Sequence, residues 1–174
     1  VDGKNLGPLL RSVGQADLAK SVRSMKIDAG VKGSLSDLIL SPLTLTTTVA
    51  GAGVKKPVEL KVAAGSARAN LDKETLVLDD LSVTGLGLNV KAKVDAEKIM
   101  SEPTFEGKLN VPAFNLKRLL ARLNKPVPKT ADPKALTQLG LKTRFSGTTS
   151  SIKLDDLEIT LDQTHIQGDI NVAN

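Results

Sequence analysis

The residues of this chain that could do chemistry are few and scattered. There is one histidine, His165, and strand alternation with Gln163 and Gln167 places it on a polar side, opposite Ile166. A single outward imidazole cannot build a multi-histidine metal site, and no nucleophile is spaced to meet it. Two carboxylate pairs, Asp79-Asp80 and Asp155-Asp156, would suit calcium or acid–base work, but they lack the dense oxygen-ligand spacing of a calcium loop. Gly51-Ala52-Gly53 and Gly85-Leu86-Gly87 do not open helices, so neither forms a phosphate cradle. Cysteine is absent, which removes disulfides and thiolate metal sites. The expectation is a protein that is not an enzyme and takes no cofactor or metal.

The elements that would carry a site are repeated. Residues 75–96 and 151–172 align without a gap at an offset of 76, with Leu78 on Leu154, Leu81 on Leu157, Val83 on Ile159 and Val90 on Ile166. A looser third copy begins at Leu35. A repeat unit of this size depends on its neighbours to bury its apolar side. The unit is a strand pair, because apolar residues recur at every second position. That period runs through Met25–Val31, Leu43–Val49, Val58–Val62, Ala67–Leu71, Leu76–Leu78, Leu86–Val94, Phe105–Val111 and Leu141–Phe145. Ser41-Pro42 reads as a turn between strands.

Within the repeat, Leu154 and Leu157 stand at an odd spacing, which strict alternation would send to opposite faces. A bulge at Asp155-Asp156 would keep both inward, as would one at Asp79-Asp80 and one between Leu35 and Leu38, and would curve the sheet. A plain hairpin turn with solvated acids is the other reading.

Two segments have helical spacing instead. Asn5 caps a stripe of Leu6, Leu9, Leu10 and Val13, with a further turn or two after Asp17, giving a connector over 5–23. Asn115 caps Leu116, Leu119, Leu120 and Leu123, a stripe suited to resting on a sheet. Asp132-Pro133 would start a second short helix closed by Gly140, so that the connector covers 115–139.

Composition narrows the function further. The chain has 174 residues, 40% hydrophobic and only 2% aromatic, which is little aromatic area for a sandwich core or a sugar-binding face. No run is long and apolar enough to span a bilayer, no signal peptide is visible, and both ends are expected to continue into something longer. The net charge of +5 sits on one connector, where residues 112–134 hold six bases against one acid. Lys117, Arg118, Arg122, Lys125 and Lys129 are either a solvated face or a contact for an anionic membrane surface or acidic partner. No aromatic residues interleave with them, so nucleic acid is not the expected partner.

Residues 104–172 resemble the C-terminal region of the AsmA family. The resemblance rests on Phe114-Asn115-Leu116 leading into Leu119-Leu120, on Thr130-Ala131-Asp132-Pro133 with Ala135-Leu136, and on Leu157 through Leu161-Asp162, Thr164 and Gly168. It covers roughly the last 70 residues, is looser before residue 100, and departs at Gln163, where family members often carry an acid. It implies a periplasmic piece of an envelope protein anchored in the bacterial inner membrane and linked to outer-membrane biogenesis. It also implies a bridge-like lipid-transfer protein whose repeating β-groove holds phospholipid acyl chains.

The expected fold is therefore mainly β: a curved antiparallel sheet of repeating β-groove units, 1–100 and 101–174, with two helical connectors. The lining of the groove is expected at Ile27, Leu45, Leu60, Leu78, Leu88, Val90, Leu109, Phe145, Ile159 and Ile166. The expected partners are acyl chains and neighbouring groove segments of the same full-length chain. A scaffold role beside outer-membrane assembly proteins is the alternative. The periodicity alone also allows the sheet to close on itself as a sandwich or barrel.

Overall fold

The computed structural model describes residues 2–3, 22–34, 36–50 and 53–173. They form one curved, antiparallel, eleven-stranded sheet. The strands are β1 (Asp2–Gly3), β2 (Val22–Ser34), β3 (Asp37–Val49), β4 (Val58–Ala64), β5 (Ser66–Asn70) and β6 (Thr75–Gly85). They continue as β7 (Leu88–Glu97), β8 (Thr104–Phe114), β9 (Leu139–Thr148), β10 (Ser151–Leu161) and β11 (Thr164–Ala173). Sheet order follows chain order, except that β4 and β5 share one lane between β3 and β6. That meander follows from the sequence, since short turns between alternating segments allow only antiparallel neighbours.

The repeat is reproduced in the backbone. β6 and β10 begin and end 76 residues apart, as do β7 and β11, and the register of each hairpin slips at the same place. The slips lie between Leu78 and Leu81 and between Leu154 and Leu157, so the acid pairs form bulges, with Asp80 and Asp156 both at φ 50°. All four leucines thereby stay on one face, as the odd spacing demands.

The third copy lies elsewhere than expected. Leu38 follows the hairpin between β2 and β3, whereas the matching bulge in β3 falls at Ser41-Pro42, between Leu40 and Leu43 and opposite Gly30. Ser41-Pro42 is thus not a turn. Proline lacks a ladder donor, and a bulge is one of the few places inside a sheet that tolerates it. In the β4–β5 lane, Gly65 makes the same interruption: its N–H donates to the Asp79 carbonyl, and its own carbonyl accepts from Ser41 Oγ. Gly30, Ser41-Pro42, Gly65, Asp79-Asp80 and Asp155-Asp156 therefore mark one crease crossing the sheet. Extra residues in some lanes and not in their neighbours bend a sheet along such a line.

One helix is present among the described residues, α1 (Leu116–Arg122). Asn115 caps it as expected, its side-chain carbonyl accepting from Arg118 N–H at 2.9 Å. Its leucine stripe is only half-buried, against the expectation of burial on the sheet. A helix of two turns beyond the ends of β8 and β9 meets turn surface, not sheet. It is tied there by Lys55 N–H, which donates to the Arg122 carbonyl. The expected helix from Asp132 is absent: 131–137 form bends and turns, and Leu139 and Gly140 already belong to β9. The expected connector over 5–23 lies outside the described residues, except that Val22 and Arg23 open β2.

Candidate functional site

Registration of the strands decides which side chains share a face. One row runs Val31–Leu40–Ala67–Leu78–Val94–Gly107–Phe145–Leu154–Ile170, unbroken from β2 to β11. A second row runs Ile27–Leu45–Val62–Val83–Val90 and resumes as Val111–Leu141–Ile159–Ile166. Its two halves meet one step beyond the paired residues Lys91 and Asn110. With strands about 4.8 Å apart, each row is on the order of 40 Å long.

All ten residues expected to line a groove lie on this face. Ile27, Leu45, Val90, Ile159 and Ile166 sit in the second row, and Leu78 and Phe145 in the first. Leu60 and Leu88 stand two residues from Val62 and Val90, and Leu109 pairs with Ala92 between the rows. At Gly107 the row needs a residue without a side chain, because a Cβ there would collide with the Lys93 carbonyl oxygen and lie 2.6 Å from Phe145 Cζ. Phe145 instead lies over it, with its ring centroid 6.3 Å from that of Phe105.

No second layer covers the face among the described residues: strands make extensive contact only with their hydrogen-bonded neighbours. It is neither a sandwich nor a closed barrel, since β1 and β11 are the two ends of the sheet order. Among the described residues few side chains are deeply covered, and those that are (Ala64, Ala67, Thr143 and Leu157) all belong to this face. Thr143 is polar, yet its hydroxyl donates to the Asp155 carbonyl at 2.9 Å and so pins the bulge in β10. Toward both ends of the sheet the apolar side chains open to solvent, with Val31 64% and Ile166 52% exposed.

The other face carries the charges. Bulge residue Asp79 is bonded by Arg68 at 3.1 Å and by Lys93 at 3.4 Å. Partial desolvation pushes the Asp79 carboxyl up, but Lys93 and Arg68 outweigh it and hold the group below its ordinary 3.8. In the second copy Arg144 pairs with Asp156 at 2.6 Å and Lys153 with Asp155 at 2.8 Å. The bond to Asp155 raises the Lys153 ammonium above its usual range. His165 is on this face too, with Nδ1 3.2 Å from Thr160 Oγ1 and no other partner among the described residues.

The basic connector divides. Lys117 Nζ donates to Thr130 Oγ1 at 2.6 Å and to the Pro133 carbonyl at 3.3 Å, so its charge is occupied in folding the connector. Arg118, Arg122, Lys125 and Lys129 are exposed. The whole connector is clamped by Asp162 in the β10–β11 turn. Its Oδ2 accepts from Leu136 N–H at 2.6 Å, and its Oδ1 accepts from Thr137 and Gln138 N–H, both at 3.0 Å.

Comparison with known protein families, with curated proteins and with solved structures finds no match to this chain.

Proposed function

We propose that the apolar face is the inside of a lipid-binding groove, and that the chain is a periplasmic piece of an AsmA-like envelope protein serving outer-membrane biogenesis. The observation that carries this reading is the continuity of the apolar rows from β2 to β11, with no layer over them among the described residues. Ordinary monomers rarely leave a continuous apolar face without a covering layer, which points to an occupant. Aliphatic rows with few rings suit flexible acyl chains, which need length more than shape. In a filled groove the acyl chains would lie along these rows, and headgroups would remain at the open side in water.

The test is lipid extraction and native mass spectrometry of the purified chain. Phospholipid should co-purify with the native sequence and be lost in Val90→Asp, whose charge sits in the middle of a row and costs several kcal/mol to desolvate. A folded native chain that neither retains nor takes up phospholipid would overturn the reading.

A scaffold role has one observation in its favour. All ten residues of β11 are exposed, and its outer edge carries no partner strand among the described residues. Such an edge can receive a strand from another protein. Under that reading, crosslinkers at Ile170 or Val172 capture an outer-membrane assembly protein, and a folded Val90→Asp variant keeps its function.

A further inference from the structure

The charged face places five cations in two adjoining rows across three adjacent strands, with acids only at the margin of the block. Lys91 pairs with Asn110 and Asn110 with Lys142; one step further, Lys93 pairs with Lys108 and Lys108 with Arg144. Directly paired residues share a face with Cβ atoms about 5 Å apart, and like charges placed so destabilise a sheet. Two of the five are paired with acids at its margin, Lys93 with Asp79 and with Asp95, next along β7, and Arg144 with Asp156. Lys91, Lys108 and Lys142 have no ion-pair partner among the described residues. The block lines an open depression of about 640 Å³, a ligand-sized volume.

We propose that this depression binds a compact, water-borne polyanion carrying two or more phosphate groups. The charge pattern selects the class. Carboxylates flank the block on both sides, with Asp80 in β6, and Asp156 and Glu158 in β10, on the rim of the same depression. Asp95 and Glu106, next along β7 and β8, close a third side. An extended polyanion or an anionic membrane plane would meet all these acids, whereas a compact ligand seated over Lys91 and Lys108 would not. Three strands span about 10 Å, the size of a diphosphate with a small substituent. The site is also separate from the lipid groove. Lys91 follows Val90 on the same strand, and successive side chains point to opposite faces, so a headgroup whose chains occupy the apolar rows cannot reach it. The inference stands whether or not the apolar face binds lipid.

Thermal melting with and without inorganic pyrophosphate tests it, beside calorimetric titration. Pyrophosphate should raise the melting temperature of the native chain, because a ligand that binds only the folded state stabilises it. Lys108→Gln should melt at or above the native temperature without anion, since it removes a like-charge contact, yet should bind pyrophosphate at least about tenfold more weakly. Lys73→Gln, in the β5–β6 turn, should bind like the native chain. An absent pyrophosphate shift overturns the site, as does an equal loss in Lys73→Gln. So does tighter, Lys108-dependent binding to phosphatidylglycerol vesicles than to pyrophosphate, which would assign the cations to a membrane.

Discussion

Asp80 and Asp156, 76 residues apart, occupy the same left-handed backbone position, each at φ 50° and each one residue before an inward leucine. The coincidence explains the acid pair better than chemistry does. A bulge needs a residue that tolerates positive φ, and aspartate does so more readily than most residues with a side chain. In this sheet the bulges keep both leucines inward and fall on one crease.

The conformation predicts a ranking of substitutions. Asp156→Asn should leave stability nearly unchanged, because asparagine also enters the left-handed region. Asp156→Val should be less stable than Asp156→Asn by about 1–2 kcal/mol, the penalty for a left-handed L-residue. Both replacements remove the exposed pair with Arg144, so that loss cancels in the comparison. Equal urea midpoints for the two variants would refute a backbone role for this position.

Much of this was legible in the sequence. Period-two alternation located the strands, and the odd Leu154–Leu157 spacing located two of the three two-residue bulges between leucines. Ser41-Pro42 has the look of a turn because proline signals a turn far more often than a bulge, and it is the pairing of Leu40 with Val31 and Ala67 that shows β3 to continue. Asp132-Pro133 has the pattern of a helix start, but the N–H groups of 136–138 turn toward Asp162 instead of extending a helix. The cationic block was invisible because 91–93, 108–110 and 142–144 come together only through registration. The ten apolar candidates share a face because the bulges preserve the alternation of the runs they belong to.

Asp162 makes the connector sensitive to acid. The Leu136 N–H bond lowers its carboxyl most; desolvation opposes this, and the Gln138 and Thr137 bonds add to the lowering, leaving it below 3.8. A depressed carboxylate contributes stability that is fully present above its unfolded value and is lost as pH falls through the folded one. Asp162→Asn keeps the left-handed backbone at φ 53° but presents an amide donor where Leu136 N–H needs an acceptor. The variant should melt lower than the native chain at neutral pH, and the gap should close in acid below about pH 4. A gap independent of pH would show that the carboxylate charge is not what holds the connector.

The uneven cover of the apolar face sets where stability resides. Leu157 is 6% exposed, the only large apolar side chain among the described residues that is so enclosed, and it sits beside the Thr143 bond that pins the bulge. Leu157→Ala should cost ~2–5 kcal/mol, since the cavity is walled by paired strands that cannot close over it. Leu120, on α1, is half-buried over the strand ends. Leu120→Ala should cost only about 1 kcal/mol, because much of its surface is already in water. Denaturant titration of the two variants separates two pictures of the molecule. If the crease through the sheet is its core, Leu157→Ala is much the more destabilising. If the connector helix is the keystone, the order reverses, and α1 would have to pack far more tightly on the strands than its half-exposed leucines allow.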